Sequence, residues 1–145
     1  MGEWDRALKD ERLIDPLIGA GLFAGSFLIY LGTLAPSVAT IFDDSLEFQL
    51  VCYLPGIAHP TGYPLYTLLG KLFTFVPLGD VAYRVNLMSA FFAALTVVFL
   101  YATLRLIVKY RVPAALGAAS FALSPVFWSQ AVIAEVYTLN AAFVA

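Results

Sequence analysis

Long apolar stretches alternate with short polar segments along the chain. The first, Leu17 to Ile41, is long enough at 1.5 Å per residue to cross a hydrocarbon core of about 30 Å, and it predicts a membrane span over 17–41. Gly19, Gly21, Gly25 and Gly32 thin its helix, and small residues let membrane helices approach each other. Pro36 falls in its last turns. A second span is predicted from Val81 to Val108, with Asp80 as its N-cap and Arg84 and Asn86 in its first turns. A third, over 113–133, opens on Pro113, carries Gly117, Ala118, Ala119 and Ser120 for close packing, and is predicted to kink at Pro125. Leu139 to Ala145 has the pattern of a further span cut off after a turn or two.

The polar segments complete the pattern. Residues 1–15 mix Arg6, Lys9 and Arg12 with Glu3, Asp5, Asp10, Glu11 and Asp15, and predict a tail or a short amphipathic helix on the membrane surface. Residues 42–80 begin with Asp43, Asp44 and Glu47. A carboxylate at a bilayer centre costs about 2.5–3.5 kcal/mol, so this acidic stretch lies outside the hydrocarbon. Asp44-Ser45-Leu46-Glu47 has the spacing of a capping box and predicts a helix start. Phe48, Leu50, Val51 and Leu54 would form an apolar side lying on the membrane, and Pro55-Gly56 ends the helix.

Tyr63 to Val76 is ambiguous by pattern, being apolar yet carrying Lys71 between Pro64 and Pro77. Some 13 residues cover about 20 Å, short of a full crossing. Charge settles the choice. With this segment at the interface, Arg105, Lys109 and Arg111 share the cytoplasmic side with the basic residues of the tail, as the positive-inside rule requires. The loop over 42–80 and the turn at Glu135 then share the opposite face, with Trp128, Ser129 and Gln130 at the outer interface.

Composition agrees with the pattern. The 145 residues are 61% hydrophobic and 12% charged, with a mean hydropathy of +0.86, which defines an all-α, polytopic integral membrane protein. Three complete spans, a truncated fourth and a helical outer loop at the interface are expected. A net charge of −2 gives no reason to expect nucleic acid. The one cysteine, Cys52, has no partner for an internal disulfide or a thiol metal site. The first apolar run lacks a small-residue cleavage site and is expected to be a retained anchor. The chain itself is expected to be the N-terminal piece of a longer protein.

Candidate chemistry gathers in the outer loop. Asp43, Asp44 and Glu47 would be helix caps, or else a general base or divalent-cation ligands facing a substrate, with Asp44 and Glu47 on one helix face. His59, the only histidine, sits in the turn His59-Pro60-Thr61-Gly62-Tyr63-Pro64 and would bond backbone or act in catalysis. Glu135 is an interfacial acid aimed at the same compartment as Asp44. Tyr63, Tyr66, Trp128 and Tyr137 suit an aromatic belt. Arg84 would snorkel to the headgroups, or with Lys71 meet a lipid phosphate.

A series of motifs then carries a family resemblance. Thr33-Leu34-Ala35-Pro36-Ser37-Val38, Asp44-Ser45-Leu46-Glu47-Phe48 and the run from Gly56 to Tyr66 come first. Tyr83-Arg84-Val85-Asn86-Leu87-Met88-Ser89-Ala90, Trp128-Ser129-Gln130 and Glu135-Val136-Tyr137 follow. Together, over nearly all of the chain after residue 30, they resemble a former domain-of-unknown-function family linked to protein O-mannosyltransferases, within the GT-C membrane glycosyltransferases. The resemblance implies an inverting enzyme that moves a sugar from a polyprenyl-phosphate carrier to an acceptor hydroxyl, on protein or glycan, in contact with membrane lipid. It implies the extracytoplasmic face of a bacterial plasma membrane, or of the endoplasmic reticulum in a eukaryote. By this resemblance Asp44 is the catalytic acid of the first outer loop and Glu47 the second acid of an Asp-Ser-x-Glu pattern. Asp43, His59, Tyr63, Arg84 and Glu135 are candidates for substrate contact. Leu46 departs from the small residue common at its position, and the later spans of full members are missing, so residues 1–145 alone are expected to be inactive. The resemblance implies no particular cofactor, and a divalent cation stays an open alternative. A lipid-carrier binding or transport protein, or a non-catalytic helical fragment, are the other classes.

Overall fold

The computed structural model describes residues 3–39 and 43–145. These form helices α1 (Glu3–Thr33), α2 (Asp43–Tyr53), α3 (Pro64–Phe73), α4 (Val81–Ile107), α5 (Arg111–Ala122), α6 (Pro125–Ala131) and α7 (Tyr137–Val144), with no strand among the described residues. The chain is thus all-helical. Leu13–Thr33 and Val81–Ile107 are long and apolar enough to cross a membrane, and α5 with α6 makes a third such stretch if the bent pair is one span.

The central element is α4, which touches each of the other helices. Its 27 residues extend about 40 Å. Ala90, Ala93 and Ala94 are fully buried along it, so neighbouring backbones come close. Asp80 caps its first turn as expected: Oδ1 accepts from the Tyr83 amide at 2.8 Å. Gly79 precedes this cap at φ 55°, where a side chain would be strained and a Cβ would lie 2.8 Å from the Tyr83 ring.

Several expected boundaries move. The polar N-terminal residues and the first apolar run form one helix that continues through Pro16. That helix ends at Thr33, not Ile41, because the position before Pro36 is turned away from helix and Ala35 donates its N–H to the Val132 carbonyl instead, at 2.9 Å. Residues 40–42 lie outside the described part. The kink expected at Pro125 is a break of 64°, with Pro125 opening α6. Proline lacks the N–H that would continue α5 and clashes with the carbonyl four residues back. Phe121 O there accepts from Ser124 N at 3.1 Å, and the neighbouring Ala122 carbonyl is taken by the buried Tyr30 hydroxyl at 2.8 Å.

The apolar side expected to lay α2 on the membrane also divides. Ser45, Phe48, Gln49 and Cys52 recur at helical spacing on one face and are buried against the protein, together with Val51. Leu46, Leu50, Tyr53 and Leu54 face outward. The inward face packs on Tyr66, Val85 and Met88. At ten residues α3 covers about 15 Å, too short to cross the hydrocarbon. It lies so close to α2 that a Cβ at Gly70 would sit 2.2 Å from Cys52 Sγ.

The two ends of the bundle differ chemically. At one, Asp15 of α1 accepts from the Tyr101 hydroxyl at 2.7 Å, Arg105 Nε at 3.0 Å and Arg111 Nε at 3.1 Å, joining α1, α4 and α5. At the other, α2, α3 and the turn between α6 and α7 gather around the first turns of α4.

Candidate active site

A polar row on α4 organises that second end. Asn86 is fully buried and uses its whole side chain. Its amide donates to the carbonyls of Ala35 (3.0 Å) and Ser37 (3.1 Å), which fixes the segment leaving α1. Its Oδ1 accepts from Gln49 Nε2 of α2 (2.9 Å) and from the Ala134 amide (3.0 Å). One turn on, Ser89 Oγ accepts from the Glu135 amide at 3.2 Å. Farther along the same face, the Thr96 hydroxyl bonds the Phe92 carbonyl at 2.8 Å and lies 3.2 Å from that of Thr138. The link before α7 is therefore held on α4 by side chains, outside any regular helix, and Thr96 meets the first turn of α7.

This arrangement brings Glu135 to α2. Glu135 is 2% exposed as a residue, and its Oε1 accepts from the Ser45 hydroxyl at 2.9 Å. Burial raises its pKa above the usual carboxylate value, against the lowering effect of the Ser45 bond. Glu135 and Asp44 line one cleft of about 750 Å³ together with Phe121, Val126, Phe127 and Tyr137. Asp44 is half exposed.

Glu47 has a different task from the one its spacing suggests. The capping box does not form, because α2 starts at Asp43 and Asp44 is already inside it. Glu47 turns to the loop after α2 instead: Oε1 accepts from the His59 amide at 2.8 Å and Oε2 pairs with His59 Nδ1 at 2.5 Å. This bond lowers the Glu47 pKa and raises that of His59, and the Asp44 charge adds to the rise at His59. Fixed this way, the imidazole points Nε2 toward Asp44 Oδ2, 4.0 Å away. Tyr63 closes the cluster with its ring against His59 (5.2 Å between centroids) and Phe48 (5.4 Å), and it lines a neighbouring cleft of about 360 Å³ that shares Tyr137 with the first.

Thus Asp44, Glu47, His59, Tyr63 and Glu135 come together, while the candidate cations do not join them. Arg84 spends its guanidinium on the turn before its own helix, donating to Thr74 O (2.9 Å), Leu78 O (2.9 Å) and Gly79 O (3.0 Å). Lys71 donates to the Tyr53 carbonyl at 2.7 Å and lies over the Tyr53 and Phe75 rings. Asp43 begins α2, and its side chain lies outside the described part. The pairing of Asp44 with Glu47 around a divalent cation does not fit either, since both Glu47 oxygens are engaged by His59. No group of three or more His, Cys, Asp or Glu side chains is placed to hold a metal among the described residues.

Ser45, Asn86 and Ser89 stand in the family motifs without a role assigned from the sequence, and Gln49 has none there either. The available signal was their type: Asn86, Ser89 and Thr96 recur on one face of an otherwise apolar span, where polar side chains face a protein interior.

Comparison with known proteins assigns the family. Residues 44–145 match the protein O-mannosyl-transferase TMEM260 N-terminal domain. Among curated proteins, the mouse protein O-mannosyl-transferase TMEM260 is 36% identical over 89% of this chain and 20% of its own length. A Dictyostelium discoideum protein O-mannosyl-transferase tmem260 is 35% identical over 86% of this chain and 15% of its own length. The chain thus spans a fifth or less of these relatives. No solved structure matches it. With the match beginning at Asp44 and running through the whole cleft, the chain belongs to the protein O-mannosyl-transferase TMEM260 N-terminal domain family.

Proposed function

We propose that this chain forms part of an enzyme that transfers a sugar, mannose by the names of its relatives, from a polyprenyl-phosphate carrier to a hydroxyl of an acceptor protein. The observation that carries the reading is the cleft in which an apolar wall of Phe121, Val126 and Phe127 meets the carboxyls of Asp44 and Glu135. An isoprenoid chain suits such a wall, and the carboxyls suit a sugar. Asp44 is the general base. It takes the hydroxyl proton as the acceptor oxygen attacks the anomeric carbon, the bond from that carbon to the phosphate oxygen breaks, and the phosphate leaves with the electron pair. Attack opposite the leaving group inverts the anomeric centre. A phosphate departs readily, so no strong general acid is needed, in contrast to glycosidases.

Glu135 stays protonated to higher pH than an exposed acid and donates a hydrogen bond to an oxygen of the donor. His59, held by Glu47, supplies positive charge beside the departing phosphate, whereas Arg84 and Lys71, the alternative cations, donate to backbone carbonyls. The GT-C assignment rests on the resemblance of the motifs. The face is the non-cytoplasmic one, because the Arg105 and Arg111 end of the bundle belongs on the cytoplasmic side by the positive-inside rule.

The test is mannose transfer from polyprenyl-phosphate-mannose by the full-length protein in membranes. Asp44→Asn should insert at normal levels and lose about 10²–10⁴-fold in rate, the usual worth of a general base, with Asp43→Asn nearly normal. Transfer at wild-type rate by Asp44→Asn would take the base away from Asp44, and absence of transfer by the wild-type protein would favour a carrier-binding or transport protein.

A further inference from the structure

We propose that Asn86 is the positioning residue that sets the separation of the two carboxyls lining the cleft; this rests on the functional reading above. Neither Asp44 nor Glu135 lies on a long element of the bundle. Asp44 is in the first turn of an 11-residue helix, and Glu135 is in the irregular link between two helices of seven and eight residues. Short helices hold their place by tertiary contacts and not by their own ladders. The rigid element nearby is α4, and one α4 side chain reaches both carriers. Gln49, on the inward face of α2, donates to Asn86 Oδ1, and Ala134, next to Glu135, donates its N–H to the same oxygen. A single atom therefore ties the helix bearing the base to the link bearing the second acid.

The other half of the amide closes the frame. Asn86 Nδ2 donates to the carbonyls of Ala35 and Ser37, which fixes the outer end of α1 to the same point. All four bonds lie between 2.9 and 3.1 Å, and Asn86 is fully buried, so neither half of the amide is left to water. Asparagine is the side chain of this length that offers two donors and a shared acceptor together. Asn86 touches neither of the two clefts that meet at Tyr137, and so acts on the reaction only through what it holds.

The experiment uses the full-length protein and two measurements. Asn86→Ala removes all four bonds and should lower kcat about 100-fold, the effect of roughly 1 Å of misplacement, while KM for polyprenyl-phosphate-mannose stays within about twofold. Asn86→Asp keeps the acceptor for Gln49 and Ala134 but turns its other oxygen on the Ala35 and Ser37 carbonyls, so it should recover only part of kcat. Hydrogen exchange of a peptide covering 132–136, read without substrate, should quicken in Asn86→Ala and less so in Asn86→Asp. If Asn86→Ala fails to insert, Gln49→Ala breaks one bond and should cost about tenfold in kcat with KM unchanged.

Wild-type kcat in a folded Asn86→Ala or in Gln49→Ala, or a loss confined to KM, overturns the proposal. So does exchange at 132–136 that no variant alters. Quickened exchange in a protein whose Asp44→Asn variant transfers normally would sink the functional reading and leave the structural role of Asn86 in place.

Discussion

The Ser45 hydroxyl donates to Glu135 Oε1 at 2.9 Å, joining two buried residues ninety positions apart. The bond fixes the rotamer of a buried acid whose pKa is raised by burial. A group with a raised folded-state pKa contributes stability that is complete below its unfolded value and is lost as pH rises through the folded value. For Glu135 that loss begins above about 4.5. Glu135→Gln keeps the shape of the protonated acid, so it should melt higher than wild type at pH 7, with the difference closing toward pH 4. Parallel melting curves at both pH values would show that Glu135 is not a desolvated acid.

The Glu47–His59 pair titrates in the opposite sense at its two ends. His59, with its pKa raised above 6.5, contributes stability that is complete below 6.5 and lost as pH rises through the folded value. Glu47, with its pKa lowered below 4.5, contributes above 4.5 and loses this as pH falls through its folded value. The turn after α2 should therefore be best protected from hydrogen exchange between about 4.5 and 6.5, and should loosen on the alkaline side. Glu47→Gln should bring the His59 titration, followed by its ring resonances, back down toward 6.5. A histidine that titrates alike in both proteins would rule out the pairing.

Arg84 should behave as a clasp. Charge-assisted bonds to Thr74, Leu78 and Gly79 carbonyls hold the turn between α3 and α4, and their loss in Arg84→Ala should cost about 1–2 kcal/mol. Arg84→Lys should recover little, because an ammonium cannot fork across three carbonyls as a guanidinium does. Thermal unfolding in detergent measures the cost, and KM for the lipid donor should stay put. A large rise in donor KM without loss of stability would return Arg84 to the phosphate.

Gly70 should not accept a methyl group. The added carbon would lie 2.2 Å from Cys52 Sγ and 2.9 Å from its Cβ, so Gly70→Ala must push α3 away from α2 and should cost about 1–3 kcal/mol. Combining it with Cys52→Ala removes the nearer clash and should recover part of that cost in a double-mutant cycle. Additive costs would mean that the two helices are not in this contact. Burial pushes the Cys52 thiol up to about 12, so it should also resist maleimide at pH 7 until the protein unfolds.

Much of this protein is legible in one dimension. Apolar length located the helices at Leu13–Thr33 and Val81–Ile107, because a bilayer crossing leaves a long unbroken signature. Asp80 was recognisable as a cap and Pro125 as a discontinuity, since each acts on backbone within four residues. The family resemblance was likewise carried by local motifs. Glu47 shows where local reading fails: the capping-box spacing is real, but His59 twelve residues on offers an N–H and a ring nitrogen together, and that pair takes both carboxylate oxygens. Arg84 read as a cation for the headgroups or a lipid phosphate, because the sequence could not reveal three carbonyls folded within its reach.

The cleft belongs wholly to tertiary structure. Its two acids lie about ninety residues apart, on segments too short to fix themselves, and they meet because Asn86, Ser89 and Ser45 satisfy polar groups that burial would otherwise strand. Hydrophobic periodicity has no information about that pairing, because it records which face of a helix is dry and not what a buried polar atom on that face will find. The sequence by itself determined the membrane class, the main helices and the acidic loop; only the fold decided that Glu135, and not Glu47, would share a cavity with Asp44.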